Sequence, residues 1–493
     1  MPEARTWQFR WWRNAPQEQR RTVRFVAASA VTGLVVATGA VAAAGPWDSG
    51  QRKAERARSA AGSATRGERH AEARVPLADP VLASLGGQPG ATGGKSGRAA
   101  APAPTRNGLT DTLKPLLDDG GLGPDRSASV VDVATGEQLY GADQDTAYTP
   151  ASTVKLATAA AALSALGPDH RIDTTVVTGK DGIVLVGGGD PTLTARQGTA
   201  DASLRTLADA TARALKARGT TRTKLTYDTS RYAGPAQHVI GPNENIAPMS
   251  ALMIDEGRQD DSDRGPAERS ADPAADAAGE FASLLRERGV EIDGDPAGGS
   301  APAKAERIAA VSSPPLSALV ERTLTNSDND IAEALARQTA LASGQPASFE
   351  GAAKAVTDRL TALGLPMSGA HIADGSGLDR ADQVSAALLS QLLARAADPG
   401  RPELRPVLTG LPVAGFSGTL RSRYGVDDHA AGRGTVRAKT GTLTGVNSLA
   451  GTTVDADGRL LAFAFLTTGS GDPEGAQRAL DRLATAVAGC GCR

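Results

Sequence analysis

The chain has 493 residues, more than one ordinary domain holds, so two folded units plus unstructured material are expected. Aromatics make up only 3% but apolar residues reach 40%, chiefly Ala, Val and Leu, which is enough for a core. The net charge of −2 is unevenly spread: Met1 to Asn107 holds sixteen Lys and Arg against seven Asp and Glu, which leaves the remainder at −11. An acidic remainder of this kind excludes a nucleic-acid binder.

Residues 1–24 form a basic arm with Arg5, Arg10, Arg13, Arg20, Arg21 and Arg24. Residues 25–47, from Phe25 to Trp47, are an uncharged run long enough to cross a bilayer. The arginines ahead of it predict a cytoplasmic N-terminus, with everything after Trp47 outside. The run is expected to be a transmembrane anchor, with a signal sequence cleaved near Ala42-Ala43-Ala44 as the alternative. Residues 48–107 are Gly, Ala, Ser, Pro and Arg without an apolar period, the composition of a disordered linker.

The first folded part is expected over 108–171. It opens with a helical pattern at Leu109, Leu113, Leu116 and Leu117, followed by a hairpin from Ser129 to Tyr140 that turns at Ala134-Thr135-Gly136. Thr149 then suits a helix N-cap and Pro150 the first helical position, opening an Ala-rich helix to about Leu166. Residues 172–311 read as an inserted α/β or β-rich region. Its strands at Ile183 to Val186 and Lys224 to Tyr227 alternate with helices at Leu204 to Ala217 and Ala274 to Arg288, and it contains an acidic loop from Gln259 to Arg264. In 312–493, helices at Leu316 to Leu324 and from Ile331 precede strands at Thr435 to Lys439, Ser448 to Val454 and Leu460 to Leu466. A final helix opens at Asp472-Pro473. Helices flanking an antiparallel sheet make an α+β domain. Cys490 and Cys492 are too cramped for an ordinary disulfide and too few for zinc, so a frayed C-terminal tail is expected.

Three short motifs carry the chemistry. In Ser152-Thr153-Val154-Lys155, positions i and i+3 share a helix face, so the amine can reach the hydroxyl. The chain uses 43 Arg and ten Lys, and this is its one Ser-x-x-Lys. Only an amine can act as a base, once burial or a neighbouring cation lowers its pKa, so a Lys kept amid so many Arg is informative. Ser152 also lies in the first turn, where its own N–H is available as half of an oxyanion hole. Ser327-Asp328-Asn329 sits at a junction of two helices. A hydroxyl there can relay a proton, and a carboxamide can both donate and accept toward a substrate amide. Lys439-Thr440-Gly441-Thr442 ends a predicted strand. Its Lys and hydroxyls suit a carboxylate, and its Gly allows close backbone approach. Taken singly, each motif also fits an ordinary cap, turn or edge strand.

Together and in this order the motifs resemble those of serine β-lactamases and penicillin-binding proteins. From Leu109 to Val487 the chain is similar to the D-Ala-D-Ala carboxypeptidase/endopeptidase family, the class C low-molecular-mass penicillin-binding proteins. Leu185 to Leu193, Asp374 to Leu378, Leu411 to Gly415 with Gly418 to Leu420, and Ala438 to Gly445 add to the resemblance. The basic arm with Trp7, Trp11 and Trp12 and the long linker depart from the family pattern.

The resemblance implies a transpeptidase-like α+β domain whose large insertion lies between the first two motifs. It implies acyl transfer with Ser152 as nucleophile and neutral Lys155 as base, and a depressing effect of the Lys439 cation on Lys155 is expected. Ser327 would pass a proton to the leaving amine, Asn329 would orient the peptide, and Lys439, Thr440 and Thr442 would hold a terminal carboxylate beside Gly441. The N–H groups of Ser152 and Thr442 would hold the oxyanion. The implied partners are peptidoglycan peptides ending in D-Ala-D-Ala or cross-linked through D-Ala, with β-lactams as inhibitors, and no metal or organic cofactor is implied. The alternatives are a class A-like β-lactamase and a non-catalytic wall-binding scaffold of the same fold. A Ser-His-Asp hydrolase lacks support, since Gly-x-Ser-x-Gly is absent and His429 reads as a loop residue.

Overall fold

The computed structural model describes residues 101–196, 203–425 and 431–493. The basic arm, the 25–47 span and nearly all of the linker lie outside them. Among the described residues no helix is long and apolar enough to cross a membrane.

The chain enters through α1 (Arg106–Leu117), whose first turn is capped by Thr105 Oγ1 accepting the Gly108 N–H at 3.1 Å. The predicted hairpin follows as β1 (Asp125–Asp132) and β2 (Gln138–Ala142), closed by Gly136 at φ 72°. Next come the short β3 (Ala147–Tyr148) and α2 (Lys155–Leu166).

A second sheet occupies the interval to the next motif. It contains β4 (Asp173–Thr178), β5 (Gly182–Val186), α3 (Leu204–Ala217), β6 (Arg222–Asp228), α4 (Pro273–Glu287), β7 (Glu291–Ile292), β8 (Ala297–Gly298) and β9 (Arg307–Ser312). The main strand order is β7-β6-β5-β4-β9, with β8 also on β6. Because β5 and β6 run parallel, the chain must cross over between them, and α3 is that crossover. Ser203 caps it by accepting the Thr206 N–H, and its Leu204, Leu207, Ala208 and Leu215 share one core with Phe281 and Leu285 of α4. The unit enters on β4 and leaves on β9, which are paired antiparallel from Asp173 opposite Ser312. Its two ends therefore lie side by side, which lets a whole unit interrupt another fold.

The remainder returns to the first part. It comprises α5 (Leu316–Asn326), α6 (Asn329–Ala342), α7 (Phe349–Ala362), β10 (Val384–Ser385), α8 (Ala386–Ala396), α9 (Pro406–Thr409), β11 (Arg437–Leu443), β12 (Val446–Val454), β13 (Leu460–Thr468) and α10 (Pro473–Ala488). The main sheet is antiparallel in the order β11-β12-β13-β1-β2, so the first and last parts of the chain form one sheet. Both faces are covered. Along β13, Leu461, Phe463 and Phe465 meet α1 and α10, whereas Ala462, Ala464 and Leu466 meet the α2 and α8 side. This α+β arrangement agrees with the fold class read from the motifs.

Two local expectations are corrected. Thr149 does not cap the nucleophile helix; its hydroxyl donates to the Arg380 carbonyl. The helix instead begins as a 3₁₀ turn over Ala151–Val154, with Pro150 at the cap position. The C-terminal tail is not frayed. Cys490 is buried against α1, the Cys492 carbonyl accepts the Thr105 N–H at 2.9 Å, and a disulfide joins the two cysteines. The tail is ordered because α1 offers it an apolar surface and a backbone donor at once.

Leu335 of α6 is fully buried in the helical layer behind the motifs. Leu335→Ala is expected to lower stability by about 2–5 kcal/mol through the cavity it leaves, read from urea unfolding.

Candidate active site

The site is assembled where α2, the α5–α6 junction and β11 meet. Ser152 stands in the 3₁₀ turn directly after Ala151, which has φ 49°. A non-glycine residue in that region costs on the order of 1–3 kcal/mol and needs surrounding bonds to hold it. The Pro150 carbonyl supplies them, accepting from Thr153 Oγ1 at 2.8 Å and from Ser448 Oγ of β12 at 2.6 Å. The nucleophile turn is thus fixed to the main sheet.

Lys155 begins α2 and is completely buried, while Ser152 is partly exposed. Its Nζ lies 3.0 Å from Ser152 Oγ, 2.7 Å from Asn329 Oδ1 and 2.5 Å from the Ser376 carbonyl. Asn329 is oriented by donating its own amide to the Asn245 carbonyl at 2.9 Å, so Oδ1 faces the amine. Two of the three partners are therefore pure acceptors, and only the Ser152 hydroxyl can reverse its role. When Lys155 loses its charge, its lone pair has one donor to meet, the Ser152 O–H. Burial lowers the Lys155 pKa to about 8, against the opposing charges of Asp374, Asp328, Glu333 and Asp382. The expected effect of Lys439 on Lys155 is corrected: burial does the lowering. The repulsion between the two amines is felt at Lys439, which burial and Lys155 hold well below its usual value.

The second motif folds as two caps. Ser327 ends α5 in the left-handed region at φ 61°, which a short polar residue tolerates, and Asp328 caps α6 by accepting the Ile331 N–H at 3.0 Å. Asn329 then takes the first position of α6. Lys439, on β11 and fully buried, donates to Ser327 Oγ at 2.8 Å and to the Thr440 carbonyl at 2.7 Å.

Gly441 lies against the nucleophile turn. A Cβ there would come within 3.1 Å of Ser152 N and 2.5 Å of the Pro150 carbonyl, and would run into Ser448 Oγ. Only a bare backbone can lie this close to the Ser152 N–H. Thr440 turns its hydroxyl to Thr419 Oγ1, 2.8 Å away, and Thr442 is exposed at the rim. The geometry thus gathers Ser152, Lys155 and Asn329 into one hub and Ser327 with Lys439 into a second, with Gly441 beside Ser152.

The motifs alone do not point to the Ser376 carbonyl, Asp374, Asp382 or Glu333. Asp374-Gly375-Ser376-Gly377 reads locally as a turn, and no spacing rule links it to Lys155. Two buried groups have donor types suited to a metal, His238 with Glu333 and Asp374, and Glu256 with Asp328 and Asp330. In the first, the Asp374 oxygens already accept backbone N–H groups. In the second, Arg258 and Arg322 pair with Glu256, and Arg269 lies 2.9 Å from Asp330.

This site and fold define an active-site-serine enzyme of the penicillin-binding type. Residues 109–262 and 258–487 match the D-Ala-D-Ala carboxypeptidase 3 (S13) family, and the chain belongs to that family of serine-type D-Ala-D-Ala peptidases. Carboxypeptidase DacB of Mycolicibacterium smegmatis is 38% identical over 80% of this chain and 86% of its own length. A carboxypeptidase of Mycobacterium tuberculosis is 39% identical over the same shares of the two chains. The fold is also that of penicillin binding protein 4 from Haemophilus influenzae, with a TM-score of 0.62 at 24% identity, covering 76% of this chain and 97% of that one.

Because only the neutral amine can take a proton, acylation by a penicillin is expected to rise with pH, with a midpoint near 8 set by Lys155. Rate constants measured across the titration check this, and a flat profile through that region would contradict it.

Proposed function

We propose that this enzyme hydrolyses D-Ala-containing peptide bonds of peptidoglycan, in terminal D-Ala-D-Ala, in D-Ala cross-links or in both, through an acyl-enzyme on Ser152. The observation that carries this is the Lys155 amine, buried among two fixed acceptors and the Ser152 hydroxyl.

Neutral Lys155 takes the Ser152 proton as Oγ attacks the carbonyl of the scissile bond. The negative charge that develops on the carbonyl oxygen is held by the N–H groups of Ser152 and Thr442, with Gly441 leaving room for it. The Lys155 proton passes to the departing amine with help from Ser327, whose hydroxyl is held by Lys439. Asn329 orients the peptide, and Lys439, Thr440 and Thr442 receive the terminal carboxylate. Water then attacks the ester, returning the proton to Ser152 and releasing the shortened peptide. A β-lactam enters the same sequence and remains as the ester; penicillin binding protein 4 of Haemophilus influenzae has been solved in complex with one.

The same reading places the catalytic part on the outer side of the cell membrane, tethered by residues 25–47. The arginine-rich arm ahead of an uncharged run supports it. Penicillin-labelled full-length protein should remain with the membrane fraction after a high-salt wash; release of a protein shortened to about Ala44 would identify a cleaved signal instead.

Ser152→Ala is expected to abolish covalent labelling by penicillin with the melting temperature unchanged. Lys155→Arg should slow acylation about as much as Lys155→Ala, on the order of a thousandfold, because a guanidinium supplies charge but no base. Labelling of the alanine variant at one mole per mole would remove Ser152 from the mechanism, and a near-normal rate in the arginine variant would remove Lys155.

A further inference from the structure

The long segment between β6 and α4 sends His238 into the wall of the site, and none of the three motifs accounts for it. His238 and Asp374 are both almost fully buried, with Nε2 2.9 Å from Asp374 Oδ2. The Ile240 N–H points at Nδ1 from 3.3 Å, so Nδ1 accepts and Nε2 carries the proton given to Asp374. The Phe349 ring meets the imidazole edge-on at 5.3 Å. The charged groups facing the imidazole are Asp374, Glu333 and Asp379, with Asp382 behind Asp374.

Asp374 uses both oxygens to shape a loop. Oδ1 accepts the N–H groups of Ser376 at 3.0 Å and Gly377 at 2.5 Å. Oδ2 accepts the Ser376 hydroxyl at 3.0 Å and the N–H groups of Leu378 at 3.1 Å and Asp379 at 2.8 Å. One carboxylate therefore curls residues 374–379 around itself. The curl presents the Ser376 carbonyl to Lys155 and lays Gly377, at φ 82°, against the Ala151 carbonyl and Ser152 N.

We propose that His238 is a positioning residue for acylation: its N–H locks Asp374, and through the Asp374 loop it fixes both Lys155 and the turn that bears Ser152. This rests on the roles of Ser152 and Lys155 proposed above. The inserted unit is then part of the chemical machinery and not only a wall of the cleft. Burial pushes the Asp374 carboxyl up, but the bonds from His238, Asp382 and Gly377 outweigh it and keep it ionised. That anion is the largest of the charges opposing Lys155 neutralisation. Removing the imidazole N–H changes how firmly Asp374 holds its charge, so the Lys155 titration moves with it.

The test follows acylation of the full-length protein by a fluorescent penicillin in stopped flow from about pH 6 to about 10, spanning the Lys155 titration. Wild type is compared with His238→Leu, His238→Gln and Ser152→Ala, and each melting temperature is recorded. Leu keeps bulk without a donor, whereas the Gln amide places an N–H where Nε2–H stands. His238→Leu is expected to acylate about tenfold to a hundredfold more slowly, with its rising limb displaced from the wild-type position, yet to reach full labelling at long times. His238→Gln is expected to keep the wild-type limb and most of the rate. The proposal falls if the folded Leu variant keeps the wild-type rate, if it slows without any movement of the limb, or if Gln is as slow as Leu. Should the Leu variant not fold, Gln decides: a preserved limb and rate uphold the proposal, and a lost rate overturns it. Adduct formation by Ser152→Ala would instead strike the nucleophile assignment, so the two failures are distinguishable.

Discussion

The structure turns on one buried amine. Taking a lysine fully out of water disfavours its charged form, and the Lys155 pKa near 8 is the balance between that penalty and four surrounding carboxyl groups. In the proposed mechanism, too little burial would leave the amine charged and unable to act as the base. Too little counter-charge would leave a buried cation that destabilises the fold when protonated. Lys155 therefore has to be surrounded by the fold, and its three oxygen partners come from three separate places in the chain: the 3₁₀ turn, the start of α6 and the loop at Ser376.

That requirement explains why the catalytic fold closes on itself from both ends of the chain. The hairpin β1–β2 pairs with β13, so α2 is fixed to a sheet whose far edge is β11, the strand of the second lysine. The unit between β4 and β9 could have hung from this body by its adjacent ends alone. Instead its β6–α4 segment reaches back: Asn245 aligns Asn329, the Ala247 N–H meets Asp330 Oδ1 at 2.9 Å, and His238 holds Asp374. Each of these contacts lands within a residue or two of a group that touches Lys155 or the Ser327 turn.

What was legible in the sequence is what local physics decides. The helix at 204–217 was readable from its apolar stripe, and β12 and β13 were readable as apolar runs to within two residues at one end each. The three motifs were legible as chemistry because amine, hydroxyl and carboxamide are rare in such an order. What was not legible depends on partners distant in the chain. The positive φ at Ala151 is held by Ser448 on β12, and the ordered tail at Cys490 needs α1. Neither partner leaves a mark beside the residue it controls. The direction of the Lys155 shift was foreseeable from the need for a base, and burial or a neighbouring cation were its two possible causes, but which of them acts was not. Burial is a property of the whole packing, whereas a neighbouring cation can be guessed from a motif.

The carboxyl groups around Lys155 extend this logic. Asp374 and Asp382 lie side by side in a buried loop, and two adjacent anions there would repel strongly. Burial and the Asp374 charge hold Asp382 well above its usual value, while hydrogen bonds from His238, Asp382 and Gly377 hold Asp374 low against its own burial. Glu333, pushed up to about 7 by burial and by Asp374, sits on the same loop through the Gly375 N–H at 2.9 Å. The raised pKa values of Asp382 and Glu333 weaken the negative field that opposes Lys155 neutralisation. Were all of them ionised, the Lys155 pKa would stand above about 8 and, in the proposed mechanism, the neutral amine would be scarcer still at neutral pH. In the proposed mechanism the burial of these acids therefore works in the same direction as the burial of the lysine itself.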